Sequence, residues 1–142
     1  SLIMKIPSVT MTYLLLVLIV ACSDIKSGAV VTSAELMSRI SDNSAPIILD
    51  VRSEQEFRRG RVPGAINIPF GDHQQLLLSL NLAKTSEVVV YCEGGGRAEK
   101  MGDHMQQQGF SEVRHLQGNM NKWRKEALPA ESGVTTVKSS RE

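Results

Sequence analysis

The run Val88-Val89-Val90-Tyr91-Cys92-Glu93-Gly94-Gly95-Gly96-Arg97-Ala98 changes character twice. Three valines and a tyrosine in a row read as a strand buried on both faces. Three glycines then break any regular structure. From Ala98 the apolar residues Ala98, Met101 and Met105 fall on one side of a helix that extends to about Gln108. Gly109 is placed to cap that helix, with Phe110 packing back. A buried strand, a glycine loop and a helix in this order make up half of a βαβ unit, and parallel strands need such crossovers.

The same alternation continues on either side. Upstream, Pro46 precedes Ile47-Ile48-Leu49, a buried strand ending near Asp50-Val51. Ser53 caps a short helix through Arg59, and Gly60 stops it. Ala65 to Ile68 forms a short strand closed by Pro69, and a helix carrying Leu76, Leu77 and Leu80 follows. Earlier still, Ala29 to Val31 is a short strand. Thr32 and Glu35 have capping-box spacing for a helix to about Ser41, with Leu36, Met37 and Ile40 as its apolar face. Downstream, Glu112 to Leu116 is the last strand, Lys122 to Glu126 the last helix, and Pro129 onward a frayed tail. Strands alternating with helices predict an α/β domain with a parallel sheet covered on both faces. Ligands of such sheets bind at the carboxyl ends of the strands. That singles out Asp50-Val51-Arg52 and the segment after Tyr91.

Composition agrees with one ordinary domain. The chain has 142 residues, 42% of them hydrophobic, enough for a single core. A charged fraction of 22% and a net charge of +1 give no single-sign field, which excludes nucleic acid as an expected partner.

The first residues read as a targeting segment. Met11 to Ala21 (MTYLLLVLIVA) is apolar apart from Thr12, with Lys5 just upstream. It is too short for a bilayer span of ~20 residues but has the length of a signal-peptide core. Met4 is read as the natural start, with Ser1 to Ile3 extraneous. Ile19-Val20-Ala21-Cys22 resembles the lipobox of bacterial lipoproteins, which implies lipidation at Cys22. Ordinary cleavage after Ser23 is the alternative. The expected layout is therefore a signal segment over 1–22, a tether over 23–28, the domain over 29–129 and a tail over 130–142. The expected location is periplasmic or cell-envelope, with contact to the membrane through the lipid anchor.

Two cysteines are present, and lipidation would use Cys22, leaving Cys92 as the domain's lone thiol. A disulfide within the domain is then excluded. His73, His104 and His115 show no ligand spacing, so no metal is expected. At Cys92, glycine backbone N–H groups can converge on one point as an anion nest. The helix start adds partial positive charge, and Arg97 adds a full one. All three favour thiolate over thiol, which predicts a lowered pKa and an activated nucleophile without a histidine base. A buried cysteine beside a tight turn is the plainer alternative; three consecutive glycines followed by Arg97 favour the chemical one.

Tyr91 to Arg97 resembles the active-site loop of the rhodanese family. Leu49-Asp50-Val51-Arg52 with Glu56-Phe57, the segment Gly60 to Pro69, and Leu116-Gln117-Gly118 with Trp123 and Leu128-Pro129 resemble its other signatures, in order, from about Ala29 to Pro129. The resemblance implies a five-stranded parallel sheet with helices on both faces. It also implies a sulfurtransferase that moves sulfane sulfur through a Cys92 persulfide, from a donor such as thiosulfate or a persulfide to a thiol or cyanide. Cys92 is then catalytic, and Glu93, Gly94, Gly95, Gly96 and Arg97 form the substrate-binding loop. No organic cofactor is implied, and a monomer is expected. Asp50 stands at the active-site rim or caps its strand.

Several positions depart from the family pattern. Arg61 replaces the usual histidine and is read as structural. Asn119 and Ala127 replace glycines, which suggests local backbone differences. Glu93 puts a carboxylate on a loop that must receive a dianion, and its repulsion is expected to disfavour thiosulfate. Arg52 and Glu56, four apart, are read as a structural ion pair. Cysteine phosphatases and arsenate reductases carry one residue more between cysteine and arginine than the four found here. Phosphate chemistry therefore ranks below sulfur transfer, and a disulfide oxidoreductase lower still without a resolving cysteine. A sulfur carrier or binding module without its own turnover is the remaining alternative.

Overall fold

The valine run forms β4 (Val88–Tyr91), the central strand of a five-stranded sheet, buried at every position. The computed structural model describes residues 29–134. The expected signal segment with Cys22, the expected tether and the chain beyond 134 lie outside the described residues. Around β4 the elements are β1 (Val30–Val31), α1 (Ser33–Ser41), β2 (Ile47–Asp50), α2 (Glu54–Arg59), β3 (Ile66–Asn67), a 3₁₀ turn (Phe70–Asp72), α3 (His73–Ser79), α4 (Gly96–Gln107), β5 (Val113–Leu116) and α5 (Asn119–Lys125). The strand order is β1-β5-β4-β2-β3, and every pair is parallel. The α/β class and the five-stranded parallel sheet expected from the sequence are both present.

Alternation along the strands divides the core in two. Val88 and Val90 face α3 and α4, packing with Leu49, Leu77, Met101, Met105 and Phe110. Val89 and Tyr91 face α1, α2 and α5, packing with Leu36, Ile48, Phe57, Met120 and Trp123. The register pairs Leu49 with Val90 and Asp50 with Tyr91. Val51 N–H donates to the Tyr91 carbonyl at 3.0 Å. The carboxyl ends of β2 and β4, the two places singled out above, are thereby side by side.

Several helix ends follow the local signals. Thr32 Oγ1 accepts the Glu35 N–H at 3.1 Å. Ser53 and Glu56 form a reciprocal capping box. Gly109, at φ 91°, closes α4 with paired bonds from Phe110 N–H to Met105 O (3.1 Å) and Gly109 N–H to Gln106 O (2.9 Å).

Two helix starts differ from the expectation. α4 begins at Gly96, because Gly95 at φ 119° makes the turn and its carbonyl accepts the Glu99 N–H at 2.9 Å. Arg97 therefore sits in the first helical turn. α5 begins at Asn119, where Gly118 at φ 72° leads in with no side-chain cap.

The tail read from Pro129 onward is docked as far as Gly133. Arg61 and Glu131 exchange backbone hydrogen bonds of 2.9 and 3.0 Å, and Gly133 N–H donates to Arg58 O at 2.8 Å. Arg61 is the physical reason. Its guanidinium lies 4.3 Å from the Phe57 ring centre, nearly buried, and it donates to Gly133 O at 2.8 Å.

Candidate active site

Cys92 follows β4 directly, with 1% of its surface exposed. Its main chain is held from the start of α5. The Cys92 N–H donates to Asn119 Oδ1 at 3.0 Å. The Cys92 carbonyl accepts from Met120 N–H at 3.0 Å, and the Glu93 carbonyl from Asn121 N–H at 3.2 Å. Helix α5 thus grips the first two residues of the loop as a neighbouring strand would.

The glycines turn the loop back over the sulfur. Gly95 N–H points at Cys92 Sγ, 3.0 Å away. Its φ of 119° is one that side-chain-bearing residues rarely adopt, and a Cβ there would stand 3.2 Å from Asn119 Nδ2. The N–H groups of Gly96, Arg97 and Ala98 open α4 and so have no helical acceptor, as at any helix start. They face the same end of the helix, where the backbone dipoles are positive. The expected arrangement of thiol, glycine loop and helix N-terminus is therefore present.

Arg97 is not a free charge beside the sulfur. Its two terminal nitrogens donate to Glu56 at 2.8 and 3.0 Å. Those bonds, opposed by partial burial and helped by Ser53, hold the Glu56 carboxyl down to about 2. In return Glu56 raises the pKa of Arg97, and the nearby Cys92 sulfur adds to the effect. The expected Arg52–Glu56 pair is absent. Glu56 turns outward through its capping box to Arg97, while Arg52 turns inward.

Arg52 is 2% exposed and Asp50 0%. Arg52 Nε and Nη2 reach the Asp50 carboxylate at 3.0 and 2.7 Å, and Nη2 also donates to Gly60 O at 2.6 Å. Tyr91 Oη donates to Asp50 Oδ2 at 2.7 Å and accepts the Val62 N–H at 3.1 Å. Burial and then Asp50 push the Tyr91 hydroxyl far above its ordinary pKa, so it remains a neutral donor. Burial alone would lower the pKa of Arg52, but the hydrogen bonds and charge of Asp50 outweigh it. Asp50 thus stands inside the domain, and its side-chain hydrogen bonds go to Arg52 and Tyr91, not to residues 92–97. It acts on the site through Arg52.

Glu93 corrects a second expectation. Its carboxylate pairs with Arg124 of α5 and lies 3.7 Å from Arg52 Nη1. Two guanidiniums face it, so the repulsion expected toward an incoming dianion is largely cancelled. Arg52, Glu56, Arg59, Gly60, Glu93 and Arg124 line a cleft of about 490 Å³ beside the loop.

The histidines lie elsewhere. His115 is half-buried against α4, and burial lowers its pKa. His73 stacks on Phe70 with ring centres 4.4 Å apart and meets His104 edge-on. Among the described residues, no group of three His, Cys, Asp or Glu is placed to hold a metal ion.

Sequence reasoning missed Asn119, Glu56 and Arg124. For Asn119 a signal existed, a polar side chain where the resemblance calls for glycine, but it suggested only a backbone change. Arg124 carried no local signal, because its partner is distant in sequence, and the local spacing of Glu56 pointed to Arg52 instead of Arg97.

Comparison with known proteins bears on this arrangement. The family described as Rhodanese-like domain matches residues 32–126. A sulfurtransferase of Allochromatium vinosum is 28% identical over 99 residues, which cover 70% of this chain and 91% of that protein. A tRNA uridine(34) hydroxylase of Teredinibacter turnerae is 37% identical over 103 residues, covering 70% of this chain but only 32% of that protein. Among solved structures, the Alr3790 protein from Anabaena superposes with a TM-score of 0.66 at 28% identity, covering 75% of this chain and 84% of that one.

Proposed function

The chain belongs to the rhodanese-like domain family, and on that premise we propose that it transfers sulfane sulfur through a persulfide on Cys92. The observation that carries this reading is the lone thiol of the described domain held under a glycine loop, with Gly95 N–H 3.0 Å from its sulfur. With thiosulfate as donor, the Cys92 thiolate bonds to the outer sulfur. The S–S bond of thiosulfate breaks, and its electron pair leaves on sulfite. The N–H groups of Gly95 to Ala98 hold the charge on the new persulfide, as an oxyanion hole would. An acceptor thiolate then attacks the outer sulfur of Cys92–S–SH. The pair of the breaking S–S bond returns to Cys92 as thiolate, and the product leaves as R–S–SH.

The site supports sulfur transfer over phosphate chemistry through its loop, which has four residues between Cys92 and Arg97, and through Arg97 being tied to Glu56. Incubation with thiosulfate is expected to add one sulfur mass to the peptide holding Cys92. Cys92→Ser should remove both the adduct and turnover; a variant that still turns over would end the mechanism. An adduct that forms without turnover would instead favour the carrier reading.

Export with a lipid at Cys22 belongs to the same proposal and rests on the order of Lys5, the apolar run and Ile19 to Cys22. Full-length protein is expected to sediment with membranes, and Cys22→Ala protein to lose that association. Equal partitioning of the two would remove the anchor.

A further inference from the structure

Beside the active-site loop lies a site already occupied by part of the protein. The Glu93 carboxylate pairs with Arg124 and stands 3.7 Å from Arg52 Nη1. Arg52 is 2% exposed, and its other two nitrogens are engaged by Asp50 and Gly60. Nη1 has no hydrogen-bond acceptor among the described residues. Arg59, a third guanidinium on the cleft wall, has no carboxylate partner among them either. A buried arginine with one open edge and two further arginines beside it match a planar carboxylate, since guanidinium forks bind that group in a fixed geometry. Glu93 shows which group the site takes. Glu93 follows Cys92 in the chain, and Glu56 on the cleft wall is held by Arg97, whose guanidinium lies near the Cys92 sulfur, so the cleft adjoins the reacting thiol. The cleft, about 490 Å³, is much larger than a sulfur oxyanion and has room for the body of an organic thiol.

We propose that this cleft receives the carboxylate of the thiol that takes sulfur from Cys92, with Arg59 and Arg124 as specificity-determining residues and Glu93 as the internal carboxylate that the ligand displaces. The identity of the ligand as acceptor rests on the sulfur-transfer reading above. The preference for a carboxylate is measured without sulfur transfer.

Cys92 is reacted with dithiodipropionate and with its diamide, which differ in charge and little else. In each case Cys92 thiolate bonds to one sulfur, the reagent's S–S bond breaks, and the other half leaves as a thiolate. The mixed disulfide is followed by mass spectrometry. The readout is the rate with the carboxylate reagent over the rate with the amide, so a variant that misfolds affects both sides of the ratio. Arg124→Ala and Arg59→Ala are each expected to lower the ratio about fivefold, the contribution of one partly exposed guanidinium–carboxylate contact. Glu93→Gln is expected to raise it by a similar factor. Arg58→Ala removes the same charge from outside the cleft, where Arg58 pairs with Glu54, and should move the ratio by less than twofold. If the cleft variants move it no further than Arg58→Ala does, the proposal is overturned.

The same ratio is then read for discharge of the Cys92 persulfide to 3-mercaptopropionate and to its amide. A cleft effect with the disulfides but none in discharge would locate a carboxylate site that does not serve the acceptor and would overturn that assignment. Failure of thiosulfate to load Cys92 would count against the sulfur-transfer reading, while the disulfide ratio would still decide the cleft.

Discussion

Replacing Asn119 tests how the loop is held. Two separate terms meet at this residue. Its Oδ1 accepts the Cys92 N–H at 3.0 Å in a buried setting, and its backbone has φ 53°. Removing the acceptor leaves a buried N–H without a partner, at about 1–3 kcal/mol. Placing alanine in the left-handed region adds about 1–2 kcal/mol, a penalty that asparagine largely avoids and glycine does not pay. Asn119→Ala is therefore expected to destabilise the domain by roughly 2–5 kcal/mol. Asn119→Gly relieves the backbone while losing the same bond, and should lose only about 1–3 kcal/mol. Urea unfolding followed by Trp123 fluorescence measures both. Trp123 is fully buried and donates to Pro129 O at 2.8 Å in the helix that carries Asn119. The slope of the transition should stay constant while the midpoint moves. Both variants within about 0.5 kcal/mol of the parent, the range of an ordinary surface change, would refute the hydrogen-bond argument. Asn119→Gly less stable than Asn119→Ala would refute the backbone argument.

The remaining predictions concern the surroundings of the loop. Glu56 titrates at about 2 instead of 4.5, so its pair with Arg97 stabilises the fold above pH ~4.5, and that contribution is lost as pH falls toward 2. In full the difference is roughly 3 kcal/mol. With the two side chains 29% and 38% exposed, solvent screening reduces it to about 1–2 kcal/mol. Unfolding of parent and Glu56→Gln protein should differ by that amount at pH 6 and converge near pH 2; a gap independent of pH would dismiss the pair. Gly102→Ala, though it removes a helix glycine, should not show the usual gain of about 1 kcal/mol. A Cβ there would stand 2.6 Å from the His115 ring, and crowding of this kind costs about 1–3 kcal/mol. The double variant with His115→Ala should recover the helix gain, and a stabilised Gly102→Ala single variant would contradict the packing.

What sequence alone determined is whatever neighbouring residues encode. The valine run makes a buried central strand because nothing in it asks for water. Thr32 with Glu35, and Ser53, announce helix starts because a cap acts over three residues. Cys92 and its glycines mark the candidate reacting group because loop, thiol and helix start are contiguous. The starts of α4 and α5 escaped because Gly95 and Gly118 make them by positive φ, without a capping side chain. Tertiary structure alone decided the pairings. Arg97 meets Glu56 across 41 positions and Cys92 meets Asn119 across 27, distances at which periodicity carries no information. Local spacing even favoured the wrong partner for Glu56, because Arg52 four residues away is closer in sequence. Burial beside Asp50 and Tyr91 turns that arginine inward instead. The strand order β1-β5-β4-β2-β3 brings the ends of β2 and β4 together and sets α5 beside the loop. That placement surrounds the Glu93 carboxylate with Arg52 and Arg124, so a side chain that reads as a repulsive charge in the sequence becomes a paired one in the fold.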